Sequence, residues 1–317
     1  MSPAFAHEPV MVEEVVALLH PVPPGVVVDA TAGGAGHAAA LLSSQPHLRL
    51  LGVDRDPAAV EASRDRLARF GDRAVVVHAR FDALAEALVS SGLDGPVSGV
   101  LFDLGVSSPQ FDEPGRGFSY RLDAPLDMRM DPSSGPSAAE LLDTMTEGEL
   151  AGLLAAHGEN RFARRIARAL LAARPVRTTG QLAEVVRGAI PAAARRTGGH
   201  PARRAFQALR VAVNDELGVL ERALPQALGL LGPGGRCVAI SYHSGEDRLV
   251  KAAFARAVSG GCTCPPGLPC ACGAVPEGRL VFRGARRPAP AEVARNRRAE
   301  SARLRAYERL APAADPA

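Results

Sequence analysis

The chain has 317 residues, 47% of them hydrophobic and 22% charged, and a formal net charge of +3. A chain this long and this apolar buries a substantial core, which excludes a small disulfide scaffold and a disordered tail protein. Near-neutral charge does not by itself point to a polyanionic partner. Lys251 is the single lysine beside 36 arginines, a bias that reflects GC-rich coding rather than function. No run approaches the roughly 18 to 20 apolar residues of a membrane span, and the opening MSPAFAHEPVMVEE carries acids where an export signal needs basic then apolar residues. A cytoplasmic protein with no membrane partner is expected.

Short β-branched runs end at Asp29, Asp54, His78 and Asp103, and apolar residues at helical spacing occupy Gly36 to Ser44, Pro57 to Arg69 and Asp82 to Ser90. That alternation predicts an α/β fold with a parallel sheet and right-handed crossovers. From Gln110 to about Asp131 the chain is too rich in Pro, Gly and charge for packed structure, and a loop of that length is usually functional or disordered. Residues from about Ser137 to Arg222 read as helices only, before RCVAIS, Arg236 to Ser241, returns as a strand. The helical block is therefore an insertion into the sheet. A short strand, Arg279 to Arg283, and an Arg-dense helix from about Ala291 to Leu310 are predicted to close the chain. The expected division is residues 1–111 and 217–317 for the two parts of the sheet domain, with 112–216 as the inserted helical domain.

After the first predicted strand comes DATAGGAGH, Asp29 to His37. Its glycines permit a tight turn and close approach to a ligand, but Gly33, Gly34 and Gly36 do not match the dinucleotide fingerprint Gly-x-Gly-x-x-Gly. Asp54 closes the second strand, where an acid accepts hydrogen bonds from ribose hydroxyls, so a nucleoside is implied. Asp29, Asp54 and Asp103 would face one crevice, an unfavourable field for a pyrophosphate and a favourable one for a cation. S-adenosylmethionine, with its sulfonium and ammonium, fits that field. Each Asp alone reads equally well as a helix or turn cap.

DATAGGAGH, GVDRDP, LFDLGVSSPQFD, RGFSY with PLDMRMD, ENRFARRIA, HPARRAFQALRVAVNDEL and ISYHSGEDRLVK, in collinear order from His7 to about Arg309, together resemble the MraW/RsmH family of ribosomal RNA small subunit methyltransferases. The resemblance implies a class I, Rossmann-like S-adenosylmethionine-dependent methyltransferase sheet with an inserted all-helical domain. It implies methylation of the exocyclic N4 of a cytidine in the decoding region of small-subunit ribosomal RNA, within an assembled or nearly assembled subunit. Carried over position by position, the family's cofactor contacts fall on Ala35, Gly36, His37, Asp54, Phe81, Asp103 and Gln110. This chain departs from the family pattern at Ala35, where Gly is usual, at Asn160, where Glu is usual, and at Gly245, where Leu is usual. Ala35 is small enough to keep the backbone contacts, and Gly245 puts the start of the following helix in doubt.

The cytosine amino group is a poor nucleophile because its lone pair is delocalised into the ring. An enzyme must accept an N–H hydrogen bond, and Asp103, or a backbone carbonyl between Gly105 and Pro109, is the expected acceptor. Proximity alone contributes about 7 to 11 kcal/mol to such a transfer. No covalent nucleophile is required, unlike cytosine C5 methylation, which demands a thiolate. Cys237 lies inside a predicted strand and reads as a small buried hydrophobe. Ser107 and Ser108 read as turn or phosphate contacts, Phe81 as core or adenine contact, and His243 as an RNA contact or a loop hydrogen bonder.

An unpaired, extruded target needs a grip on nucleic acid. Candidates are the Arg116 to Arg129 loop, with Phe118 and Tyr120 for base stacking, Arg161, Arg164, Arg165, Arg203, Arg204 and Arg210 in the insertion, and Arg286, Arg287, Arg295, Arg297, Arg298, Arg303 and Arg305 near the end. CTCPPGLPCAC carries Cys262, Cys264, Cys270 and Cys272 as two Cys-x-Cys pairs, open to structural zinc, reduced thiols or a disulfide hairpin. No metal is expected in catalysis. Competing readings are an amino methyltransferase for another nucleic acid and a noncatalytic RNA-binding assembly factor that binds S-adenosylmethionine. A nicotinamide dehydrogenase is disfavoured by the glycine spacing.

Overall fold

The computed structural model describes residues 9–159, 161–194, 200–265 and 271–311. In chain order the elements are α1 (Val12–Leu19), β1 (Val26–Asp29), α2 (Gly36–Ser44), β2 (Arg49–Asp54), α3 (Pro57–Leu67), β3 (Ala74–His78), α4 (Leu84–Ser91) and β4 (Val97–Asp103). There follow α5 (Ser108–Asp112), α6 (Ala138–Thr144), α7 (Glu147–Ala156), α8 (Ala163–Ala172), α9 (Thr179–Ala189), α10 (Arg203–Asn214) and α11 (Glu216–Leu230). The chain ends through β5 (Leu231–Ser241), α12 (Ser244–Ser259), β6 (Gly278–Leu280), α13 (Pro290–Arg295) and β7 (Arg303–Arg309). Among the described residues two compact units result, 9–105 with 217–311, and 106–216.

The first unit holds one seven-stranded sheet in the order β3-β2-β1-β4-β5-β7-β6. β1 to β5 pair in parallel, and β7 runs antiparallel to both β5 and β6. This is the doubly wound Rossmann-like sheet of the class expected from the sequence. The chain winds outward from β1 to β3 and then returns to β4 on the other side of β1. The crevice beyond the carboxyl ends of β1 and β4 is therefore the topological switch point, where such sheets bind ligands. The β-branched runs form strands because both of their faces are covered. Val26, Val28, Val53, Val100 and Phe102 pack with α4, α11 and α12 through Leu84, Leu220, Leu224, Val250 and Phe254. Val27, Leu101, Val238 and Ile240 alternate to the other face, against Val15 and Leu19 of α1 and Leu304 and Ala306 of β7. Phe254 is 1% exposed and packs on Tyr307 with ring centroids 5.6 Å apart. Phe254→Ala is expected to lower unfolding stability by about 3–5 kcal/mol in chemical denaturation. A loss below about 1 kcal/mol would show that α12 does not anchor this face.

The closing segment corrects the sequence expectation of an Arg-dense helix from Ala291 to Leu310. α13 stops at Arg295, a 3-10 turn spans Arg297–Ser301, and Arg303–Arg309 is strand β7. Arginine is a good helix former, but the free edge of β5 offers a full ladder from Arg236↔Glu308 to Ser241↔Arg303. Leu304, Ala306 and Tyr307 are buried by that pairing. β6 is also shorter than expected, and β5 begins earlier, at Leu231.

The second unit packs α6 to α10 around Leu142, Leu150, Leu154, Ile166, Leu170, Leu182, Phe206 and Leu209. Capping boxes start α6 (Ser137 with Glu140), α7 (Thr146 with Glu149) and α9 (Thr178 with Gln181), satisfying amides that the first helical turn leaves without partners. The Pro- and Gly-rich segment before α6 is tied to α10 by buried Asn214, whose Nδ2 donates to Met128 O at 2.7 Å and whose Oδ1 accepts from Met130 N at 2.8 Å. The helical stretch read from the sequence is broken at Asp215, which adopts φ 49 and ψ 37 and separates α10 from α11. No helix among the described residues is long and apolar enough to cross a membrane.

Candidate active site at the strand ends

The carboxyl ends of β1, β2 and β4 deliver Asp29, Asp54 and Asp103 to the switch point. The glycine-rich loop is sewn to the neighbouring strands. The Asp103 amide donates to Thr31 Oγ1 at 2.7 Å, the Gly33 amide donates to Asp54 Oδ2 at 2.8 Å, and the Asp56 amide donates to Asp54 Oδ1 at 2.9 Å. Gly33 (φ 53) and Ala35 (φ 54) are both left-handed. For Ala35 that conformation costs roughly 1–2 kcal/mol. Its methyl is fully buried with Ala38, Leu42 and Leu50, which offsets part of the cost and keeps the loop closed.

Gly36 and His37 begin α2. His37 is buried, its Nε2 2.9 Å from Val10 O and its Nδ1 3.6 Å from Asp103 Oδ2. Across the carboxylate, the Tyr242 phenol donates to Asp103 Oδ1 at 2.7 Å. Asp103 is thus gripped from two sides while remaining partly exposed. Burial, and then the adjacent Asp103 charge, push the Tyr242 hydroxyl well above its ordinary titration range, so it serves as a fixed donor. Tyr242 was not among the residues singled out from sequence. The available signal was a phenol directly after the apolar strand ending at Ser241, adjacent to β4 in the sheet.

Burial pushes Asp29 and Asp54 up to about 6, against the help of His37 and the Thr31 amide for Asp29, and of the Asp56 and Gly33 amides for Asp54. The crevice therefore carries carboxylates whose negative charge is under-compensated, the condition under which a cationic ligand binds best.

Phe81, just beyond β3, packs edge-on against Phe102 with centroids 5.8 Å apart and remains partly exposed. Gln110 belongs to the other unit, where its Oε1 accepts from the Ser107 amide at 3.1 Å. His243 is the N-cap of α12: its Nδ1 accepts from Gly245 N and Glu246 N, while Glu246 returns a bond to the His243 amide. The helix start is well formed despite Gly245. Asn160 lies outside the described residues. Cys237 is fully buried and its thiol is pushed far up by desolvation, which removes it as a nucleophile.

Phe118 is 5% exposed, which corrects its assignment as a stacking platform for bases. Tyr120 stacks on His200 at 4.3 Å and meets Phe206 edge-on, so it serves the core of the insertion. Among the arginines, Arg116 binds the carbonyls of Arg129 and Met130, Arg210 is paired with Glu216, and Arg303 and Arg305 are paired with Asp247. Arg161, Arg164, Arg165 and Arg203 are exposed on the insertion, and Arg286, Arg287 and Arg297 are exposed near the end of the chain.

The chain is 54% identical to "Ribosomal RNA small subunit methyltransferase H" of Thermobifida fusca over 315 residues, 97% of this chain and 94% of that one. It is 49% identical to the protein of the same name from Heliobacterium modesticaldum over 311 residues, 96% of this chain and 99% of that one. The profile of the MraW methylase family matches residues 4–310. Matched across almost its entire length, the chain belongs to the MraW methylase family.

Proposed function

We propose that this chain methylates the exocyclic N4 of a cytidine in the decoding region of small-subunit ribosomal RNA. The methyl donor of this methylase is S-adenosylmethionine, which when bound supplies an electrophilic methyl group on a sulfonium. The residues present fit it. Asp54, already ordering the glycine loop through Gly33, has lone pairs left for ribose hydroxyls, and the buried Asp29 with the half-buried Asp54 favours a ligand bearing positive charge. Ala35, Gly36 and His37 would line the loop side, with Phe81 toward the adenine, Asp103 near the methionine portion and Gln110 as a further contact.

The observation that carries this reading is the Asp103 carboxylate, held at the carboxyl end of β4 by Tyr242 and facing His37. An amino N–H donated to that carboxylate returns electron density to nitrogen. As the methyl would leave sulfur for nitrogen, nitrogen would gain the positive charge and Asp103 would take its proton. A carboxylate whose direction is fixed meets that need without reorganising. Tyr242 is a positioning residue, acting through Asp103.

Support for the RNA partner comes from the names of relatives identical at about half of their positions, and from α8, whose buried face is Ala163, Ile166, Ala167 and Leu170 while Arg164 and Arg165 face solvent. Assembled or nearly assembled subunits in the cytoplasm are the proposed substrate. Incubation with labelled S-adenosylmethionine and small subunits lacking the modification, followed by nucleoside mass spectrometry, is expected to place the label in N4-methylcytidine. Label in another nucleoside would overturn the substrate assignment. Cofactor and subunit binding without label would favour a noncatalytic assembly factor.

A further inference from the structure

We infer that Cys262, Cys264 and Cys272 form a structural zinc site that closes the loop between α12 and β6. Their sulfur atoms all lie within 4.8 Å of one another, and Cys262 Sγ and Cys272 Sγ are 3.6 Å apart. A disulfide would bring that pair to about 2.05 Å. Tetrahedral zinc with Zn–S bonds near 2.3 Å instead sets neighbouring sulfurs roughly 3.8 Å apart, close to the separation observed. The Ala271 amide donates to Cys264 Sγ at 3.4 Å, the kind of outer hydrogen bond that orients a thiolate ligand and moderates its charge.

The loop needs such a centre because, among its described residues, nothing apolar holds it. No described residue from Gly261 to Glu277 is buried. Its two ends are pinned to the last turn of α12, by Gly261 N to Arg256 O, Cys262 N to Ser259 O and Glu277 N to Ala257 O. Gly260 makes the turn at φ 61, where an added Cβ would sit 2.2 Å from Val275 O. Between these anchors the converging thiols are the means of ordering, and metal coordination by thiolates contributes directly to local folding. Cys270, the remaining thiol of the motif, lies outside the described residues.

The site is remote from methyl transfer. α12 starts beside Tyr242 at the carboxyl end of β5 and runs for 16 residues, a helix about 24 Å long, before the loop begins. The zinc is therefore structural, and its presence can be read without any assay of activity.

Full-length protein purified under reducing conditions without chelating resin is expected to hold about one zinc per chain by elemental analysis. Exchange with cobalt(II) should produce the sulfur-to-metal charge-transfer band and the strong visible bands of a tetrahedral thiolate site. Cys264→Ser and Cys272→Ser should each lower the zinc content to roughly a tenth or less while S-adenosylmethionine affinity stays within about twofold, which shows that the variants have folded. Reduced protein without zinc and without a cobalt-thiolate band would overturn the assignment. So would unchanged metal content in both variants, or an intact mass two hydrogens lower that reports a disulfide.

Discussion

Asp103→Asn is expected to lower kcat for methyl transfer by about 10²- to 10³-fold at saturating cofactor, the effect of removing one preorganised charge-stabilising group. The substitution preserves shape. Its remaining oxygen can still accept from the Tyr242 phenol, which leaves an amide NH₂ directed at the space where an amino N–H must donate. Donor then faces donor, and the positive charge developing on nitrogen loses its counter-charge. Tyr242→Phe tests the positioning role separately. It removes the 2.7 Å bond while leaving the carboxylate, and should lower kcat about 10- to 10²-fold with KM for RNA nearly unchanged, in line with the 1.5–3 kcal/mol of a hydrogen bond to a charged group. Single-turnover rates with saturating S-adenosylmethionine check both. Should Asn at position 103 retain more than a tenth of wild-type kcat, the acceptor must be sought among the backbone carbonyls after Gly105.

The strands that end in Asp29, Asp54 and Asp103 were legible because each is a continuous apolar run covered on both faces and stopped by a charge. The crevice they define followed from topology alone. β7 was not legible, since Arg303, Arg305 and Arg309 give it the composition of a solvated helix. Only the β5 edge and the Asp247 carboxylate, which pairs with Arg303 and Arg305, make it a strand. The same blindness to partners enlarged the set of RNA-binding arginines, because a count of charges does not reveal that Arg210 has Glu216. Phe118 and Tyr120 looked like stacking platforms in a polar loop, but they face inward. Tyr242 escaped for the opposite reason. Its importance lies entirely in a contact across the sheet, 139 residues from Asp103 in the chain.

Asp54→Asn is expected to raise the dissociation constant for S-adenosylmethionine about 10²- to 10⁴-fold, measured by calorimetry, because the two charge-assisted bonds to ribose proposed for it would each be worth roughly 1.5–3 kcal/mol. The amide also opposes its own scaffold: one of its positions must turn NH₂ toward the Gly33 or Asp56 amide, now donors at 2.8 and 2.9 Å from the carboxylate. The wild-type protein carries a matching pH signature. Burial raises Asp29 and Asp54 to about 6, and a cationic ligand favours their ionised forms, so binding releases protons below that pH. Affinity should fall by up to about tenfold per pH unit for each carboxylate as pH drops below 6, and should be flat above pH 7. S-adenosylhomocysteine, which lacks the sulfonium charge, should show a shallower dependence. The linkage runs the other way for the empty protein. Asp29 titrates near 6 when folded against 3.8 in its ordinary state, so its relative stabilisation is complete below about pH 4 and lost as pH rises through 6. At neutral pH the buried charge costs about 3 kcal/mol. Asp29→Asn should therefore raise the melting temperature of cofactor-free protein at pH 7.5 by several degrees and by only about a third as much at pH 4.5. An equal shift at both pH values would mean that the carboxylate is not held against its charge, and that the crevice does not select a cationic cofactor by this route.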